Sequence, residues 1–182
     1  MSTKVLVDAE HFRRTVQRIA HEVVERHVGS DIPLAVVGIH TNGVPLAGRI
    51  QGLIEEFTGT RPPLGTIDIA LYRDDVGVGQ RPVVPVVGET SLDFDISTHA
   101  VLLVDVVLYT GRTIRAAIDA LFDYGRPPLV QLATLVDRGH RELPIRPDYV
   151  GKNLPTARTE RVTVHIAEID GVDELLLEEG DR

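Results

Sequence analysis

The chain has 182 residues, 43% apolar and 25% charged, with no Cys, no Trp and only 4% aromatic residues. That length suits one domain, which buries roughly 70% of the surface its unfolded chain exposes and needs no covalent staple. Without Cys, disulfides and thiolate metal sites are excluded. No run of about 18 apolar residues offers a membrane span. Residues 1–10 lack the basic-then-apolar pattern of a secretory leader, so a cytoplasmic location is expected. The net charge of −8 argues against a nucleic-acid partner until its location is considered. Residues 168–182 hold seven acids and one base, so this acidic tail alone carries −6. The rest of the chain is close to neutral and has room for a basic face.

In chain order, Asp8 can cap a helix running to about Val28. Phe12, Val16, Ile19, Ala20, Val23 and Val24 share one helical face, Arg14, Arg18 and His21 lie opposite, and Gly29 ends the helix. Residues 34–40 are a short apolar run that predicts a buried strand, followed by a turn at Thr41-Asn42-Gly43. Pro45 suits the first turn of a second helix, which runs to about Phe57 and buries Leu46, Ile50, Leu53, Ile54 and Phe57. Residues 64–72 alternate in part and predict a strand. Residues 73–98 are rich in Gly and Pro, with weak periodicity, and predict a mobile hairpin-like excursion.

Residues 100–107 predict another buried strand, residues 113–124 a helix closed by Gly125, and residues 129–136 a further strand. Short strands are expected near Tyr149 and over residues 161–167. Strands alternating with helices argue for a mainly parallel sheet covered on both faces. In such a sheet the ligand loops lie at the carboxyl ends of the strands.

The strongest chemical signal is residues 101–113, Val-Leu-Leu-Val-Asp-Val-Val-Leu-Tyr-Thr-Gly-Arg-Thr. An apolar strand delivers Asp105, a short loop of hydroxyls and Gly follows, and a helix begins. The N–H groups of a helix start point outward, and the dipole favours an anion there. Gly111 lets the backbone come close, Thr110 and Thr113 can donate hydroxyl hydrogen bonds, and Asp105 can accept from vicinal ribose hydroxyls. A bare Thr-Gly-x-Thr also fits a strand-to-helix turn with a Thr N-cap and no ligand. The lysine P-loop and the dinucleotide Gly-x-Gly-x-x-Gly are both absent, which argues against nucleoside triphosphatases and NAD enzymes.

This segment resembles the phosphoribosyl-pyrophosphate motif of type I phosphoribosyltransferases. More closely, the chain is similar over nearly its whole length to the PyrR family of bifunctional pyrimidine-operon attenuation regulators and uracil phosphoribosyltransferases. The resemblance rests on Arg18-Ile19-Ala20-His21-Glu22, Leu71-Tyr72-Arg73-Asp74-Asp75, Leu108-Tyr109-Thr110-Gly111-Arg112-Thr113, residues 136–144 and residues 148–153. It implies an α/β fold of the type I phosphoribosyltransferase kind, with a mainly parallel central sheet flanked by helices, a small hood and a flexible loop. It also implies one domain over residues 1–182, the hood built largely from the N-terminus and residues 137–182. The implied reaction is uracil plus phosphoribosyl pyrophosphate giving UMP and pyrophosphate, with Mg²⁺. The family's second role is to bind pyrimidine-operon leader mRNA when UMP or UTP is bound, and homodimers or higher oligomers are expected.

The roles implied by this resemblance are specific. Asp105, Tyr109 and Arg73 would be catalytic, with Asp105 also near the metal. Tyr109, Thr110, Gly111, Arg112 and Thr113 would hold the 5-phosphate, and Thr41, Asn42 and Gly43 would form the pyrophosphate loop. The excursion from Arg73 would close over the site. Asp137, Tyr149 and the Val150 backbone would bind the base, although Tyr149 also fits plain packing and Asp137 a turn cap. Arg18, His21, His140, Arg141, Arg146 and Lys152 would meet RNA. Residues 138–152 hold four bases and two acids, so they suit phosphates. The same charges also fit a solvated face, and Arg138 and Arg141 also fit a structural role in the hood.

Two positions depart from the family pattern. Asp105 is followed by Val106, where the family usually has a second acid, and Asn42 stands where it usually has Arg. Both changes weaken groups that serve phosphoribosyl pyrophosphate more than UMP, so a nucleotide sensor with reduced or no transfer is the alternative reading. Asp74 or Asp75 could compensate.

Overall fold

The computed structural model describes residues 3–73 and 88–179. Its centre is a five-stranded parallel sheet in the order β3-β2-β4-β5-β6. These strands are β2 (Leu34–Ile39), β3 (Leu64–Ile67), β4 (Ala100–Leu108), β5 (Leu129–Asp137) and β6 (Tyr149–Asn153). β2, β4 and β5 are almost continuously apolar and buried, as strands covered on both faces must be.

Helices α1 (Ala9–His27) and α2 (Gly43–Thr58) cover one face, and α3 (Arg112–Phe122) covers the other. Asp8 caps α1 by accepting the His11 amide at 2.9 Å. The predicted face of α1 is buried through Phe12, Val16, Ile19, Ala20 and Val23. One core lies between α1, α2 and the sheet, and includes Leu102, Val104 and Val106. The other lies under α3 and includes Val101, Leu103, Ile114, Ala117 and Leu121.

Three sequence expectations are corrected. The strand expected over residues 64–72 stops at Ile67, because Asp68 turns the chain: its carboxylate accepts the Ala70 and Gly88 amides, and its own N–H goes to Thr90. Of the expected excursion over residues 73–98, residues 74–87 lie outside the described residues. Its return is tied down: Ser91 exchanges two backbone hydrogen bonds with Thr66, and Ile96–Thr98 form a 3₁₀ turn. The expected strand over residues 161–167 ends at His165, where a short helix α4 (Ala167–Asp170) begins.

The acidic segment is folded where it is described, over residues 168–179. β8 (Glu174–Glu178) lies between β1 (Thr3–Val7) and β7 (Arg161–His165) in a separate antiparallel sheet. Leu175 and Leu176 of β8 are buried, and Glu168 and Asp173 both hold Arg49 of α2. That pairing keeps the Arg49 guanidinium charged and holds the Glu168 and Asp173 carboxyls below their ordinary range.

Candidate active site

β4 ends at Leu108, and α3 starts at Arg112 after three intervening residues, the last of them Gly111 in a left-handed conformation (φ +95°). The helix cap is therefore Gly111, and Thr113 lies within the first turn; the Thr N-cap of the bare-turn reading is not what forms. Thr110 instead accepts the Arg112 amide on Oγ1 at 3.3 Å. The back of this loop is sealed by residues 142–145. The Thr110 carbonyl accepts the Glu142 and Leu143 amides at 2.9 and 3.1 Å, and Arg112 Nε donates to Glu142 at 2.8 Å. A Cβ on Gly111 would reach Leu143 and Ile145 only at ordinary contact distance, so it is the left-handed backbone that calls for glycine here. The first amides of α3 have no carbonyl within the helix to bond, so this end of the helix is built to meet an anion.

Asp105 is half-buried, and its Oδ1 accepts the Val106 amide at 2.7 Å. Burial pushes its carboxyl up to about 6, against the opposing pull of that amide and of the Arg73 charge. Gly43 brings the Thr41-Asn42-Gly43 turn against it: a Cβ there would strike the Val104 carbonyl oxygen and lie 3.4 Å from the Asp105 Cα. The His40–Thr41 peptide before the turn is cis. His40 Nε2 donates to the Glu89 carbonyl at 2.9 Å, so the return of the excursion docks beside the same turn. The structure thus brings together Asp105, Thr41 to Gly43 and Thr110 to Thr113, with Arg73 close enough for its charge to be felt.

Val106 points away from this cluster. It is 4% exposed and packs in the core under α1 and α2. Restoring an acid there is therefore not a neutral repair. Val106→Asp is expected to lower stability by about 1–3 kcal/mol, the usual cost of a polar group placed in a core, read as a lower melting temperature without ligand. Asn42 is only half-buried and makes no capping bond, so Asn42→Arg should leave the melting temperature unchanged.

The base-side expectations divide. Tyr149 does not face a ligand: its ring is 3% exposed within the α1 core, and its hydroxyl donates to Gln131 at 3.3 Å. Val150 is no better placed, since its carbonyl accepts Arg18. The reason is register. Tyr149 and Val150 pair with Ala133 and Thr134, well before the carboxyl end of β5, whereas Asn153 is the residue level with Asp137. Asp137 is at that end, and its carboxylate caps a turn by accepting the Gly139 amide at 3.0 Å and also holds Arg141.

Arg138, 8% exposed, lies over the Tyr109 ring with its guanidinium 4.3 Å from the ring centre. It donates to Thr156 Oγ1 and to the Ala157 and Glu160 carbonyls. His140 sits at the edge of the same ring and donates to the Thr156 carbonyl at 2.6 Å. Residues 156–160 are thereby fastened over the loop after β4. The structural role that the sequence left open for Arg138 is the one these contacts fill, whereas the part played by residues 156–160 carried no sequence signal.

The six candidate RNA contacts are not equivalent. Arg146 and Lys152 are exposed. Arg18 reaches β6, donating to the Val150 and Gly151 carbonyls, and also pairs with Glu22. His21 stacks on Phe57 of α2 with ring centres 3.8 Å apart. His140 and Arg141 turn inward, which corrects the expectation of a free contact for His140 and, for Arg141, fits the structural role in the hood that its sequence also allowed. Arg141 donates to Asp137 and to the Ile145, Tyr109 and Gly139 carbonyls. Arg141→Ala should therefore loosen the 137–145 segment itself, costing roughly 3 kcal/mol because it leaves a charge and three carbonyls unpaired, measurable by thermal unfolding without any RNA.

A helix start suited to an anion and a strand-end carboxylate lie on the carboxyl side of a parallel sheet, and the class of protein that carries them follows from the relatives. Residues 2–167 match the phosphoribosyl transferase domain family. The hypoxanthine phosphoribosyltransferase of Trypanosoma cruzi superposes with a TM-score of 0.73 over 98% of this chain and 97% of its own, at 18% identity, which speaks to the fold. Proteins named bifunctional protein PyrR are far more similar in sequence. That of Roseiflexus sp. is 56% identical over 94% of this chain and 92% of its own, and that of Thermus thermophilus is 56% identical over 94% and 93%. The chain belongs to the PyrR family of phosphoribosyltransferases.

Proposed function

We propose that the carboxyl ends of β2, β4 and β5 bind a 5-phosphoribosyl ligand and transfer its sugar to uracil, giving UMP and pyrophosphate, in a protein that also regulates pyrimidine operons by binding their leader mRNA. The observation that carries the reading is the start of α3, where left-handed Gly111 turns the chain and, as the cap residue, brings no side chain to the helix amides, at the end of the strand that bears Asp105. In this reading the 5-phosphate rests on residues 109–113 and the ribose hydroxyls donate to Asp105. The bond from C1′ to pyrophosphate breaks as the bond to the uracil nitrogen forms, and that nitrogen gives up its proton. Thr41 to Gly43 face the departing pyrophosphate, and Arg73 adds positive charge nearby. The base lies against the Asp137 to His140 turn and the segment it fastens, and the sheet of β1, β8 and β7 belongs to the hood above it.

Enzymes of this family use Mg²⁺ with phosphoribosyl pyrophosphate. Among the described residues no three His, Asp or Glu side chains converge into a metal cage. One carboxylate fits Mg²⁺ nonetheless, because this ion keeps several waters and takes substrate phosphates as ligands. When bound, it neutralises charge on the leaving pyrophosphate. Homodimers or larger assemblies and control by UMP or UTP belong to the same reading. Among the described residues no helix is long and apolar enough to cross a membrane.

The test is UMP formation from uracil and phosphoribosyl pyrophosphate with Mg²⁺, run beside Asn42→Arg. UMP formation by the unaltered protein is expected, with a lower KM for phosphoribosyl pyrophosphate in the variant. Tight UMP binding with no UMP formation would sink the catalytic part and leave a nucleotide sensor, the reading that Val106 and Asn42 favour.

A further inference from the structure

Among the described residues Thr134 Oγ1 is the buried side-chain polar atom that has no hydrogen-bond partner. Thr134 is 0% exposed, in the middle of β5. Its register partner on β4 is Asp105, just as Leu132 is the partner of Leu103 two residues earlier. Leu103 and Leu132 both belong to the core under α3. Side chains two residues apart share a face of a strand, so Thr134 and Asp105 stand side by side on the α3 face. Parallel neighbours are about 4.8 Å apart, within reach of one hydrogen bond or one bridging water. Val106 faces the other core, so Asp105 is the one carboxylate that this strand end offers. A hydroxyl left unbonded at such a place is destabilising by itself.

We propose that Thr134 is a positioning residue: its hydroxyl donates to the Asp105 carboxylate, directly or through one water, and holds it toward the ribose hydroxyls of a bound phosphoribosyl ligand. The inference rests on the phosphoribosyl reading of the site and adds to it a residue from the neighbouring strand. A Val at this position keeps the branched shape and removes the donor. The orientation of Asp105 toward bound ribose then relaxes, while without ligand the sheet loses only a hydroxyl that has no hydrogen-bond partner.

The experiment is calorimetric binding of UMP and of 2′,3′-dideoxy-UMP to the wild type, Thr134→Val and Thr134→Ser, with thermal unfolding of each without ligand. Thr134→Val is expected to weaken UMP roughly tenfold while leaving the dideoxy analogue unchanged, and to melt no lower than wild type. Thr134→Ser should recover UMP binding to within about threefold of wild type. Asp105→Asn should abolish the difference between Thr and Val. Equal UMP binding by wild type and Thr134→Val overturns the role of Thr134 and leaves the site reading intact. Equal losses for both nucleotides, or no recovery in Thr134→Ser, also overturn it, as the marks of a merely structural residue. A wild type that binds neither nucleotide removes the site reading and this inference together. Should Thr134→Val not fold, Thr134→Ala, which also lacks the hydroxyl, takes its place, and full additivity of its effect on UMP binding with that of Asp105→Asn overturns the inference.

Discussion

Gly43→Ala is expected to reduce UMP formation at least about 100-fold, the scale on which misplacing a reacting group by about 1 Å acts. Gly43 is the first residue of α2 and is buried. An added Cβ would meet the Val104 carbonyl oxygen, and behind it the Asp105 Cα. Both belong to the backbone of a central strand whose ladder joins β2 on one side and β5 on the other, so neither can yield locally. The helix start must lift instead, and the turn at Thr41 to Gly43 moves away from Asp105. Overpacking of this kind costs roughly 1–3 kcal/mol, or about 2–10 °C in melting temperature for a chain of this size. Gly52→Ala on the same helix is the control. Nothing lies within 4 Å of its added Cβ, so it should gain about 0.5–1 kcal/mol from helix propensity. Kinetics and thermal unfolding of the two variants give the answer. Activity retained by Gly43→Ala would show that the turn is not held against Asp105.

The parallel sheet was readable because its central strands are uninterrupted apolar runs and its helices repeat at 3.6 residues, both local patterns. β1 and β8 were not. Glu-Leu-Leu-Leu-Glu sits among acids and looks solvated, and its partners Thr3–Val7 are about 170 residues away in sequence. Leu175 and Leu176 are buried once β8 pairs with β1 and β7, which no local pattern announces. The cradle was equally readable, since strand, loop and helix are contiguous from residue 101 to 113. The base-side residues were not, because the end of β6 that faces the ligand depends on its register against β5, which composition does not encode. Of the two readings open for Tyr149, base contact and plain packing, the register makes it packing. His140 and Arg141 failed as free cations for a related reason: the carbonyls that absorb them, at Thr156, Ile145 and Tyr109, carry no signal in side-chain identity. The structure also shows that the two departures from the family pattern differ in kind. Asn42 is a loop position open to change, whereas Val106 is part of the core.

That difference makes Asp105 the lone carboxylate of its strand and gives it a measurable cost. Burial raises its pKa from the ordinary 3.8 to about 6. The native state therefore binds this proton more tightly than the unfolded chain does. The resulting stabilisation is fully present below about pH 3.8 and is lost as pH rises through about 6, at most about 3 kcal/mol. Asn at this position imitates the neutral acid at every pH. Asp105→Asn is thus expected to melt higher than wild type at pH 8, by up to about 10 °C, and to converge with it near pH 4. It should bind UMP more weakly, by roughly 10-fold or more, since ribose hydroxyls lose a charged acceptor. Opposite signs for stability and binding are what a site residue held at a cost to the fold produces. A melting difference that ignores pH, or a variant less stable than wild type at pH 8, would mean that Asp105 is held by compensating contacts and that its charge is not the strained element of the empty site. Melting curves from pH 4 to 8, beside UMP binding at pH 8, separate these outcomes.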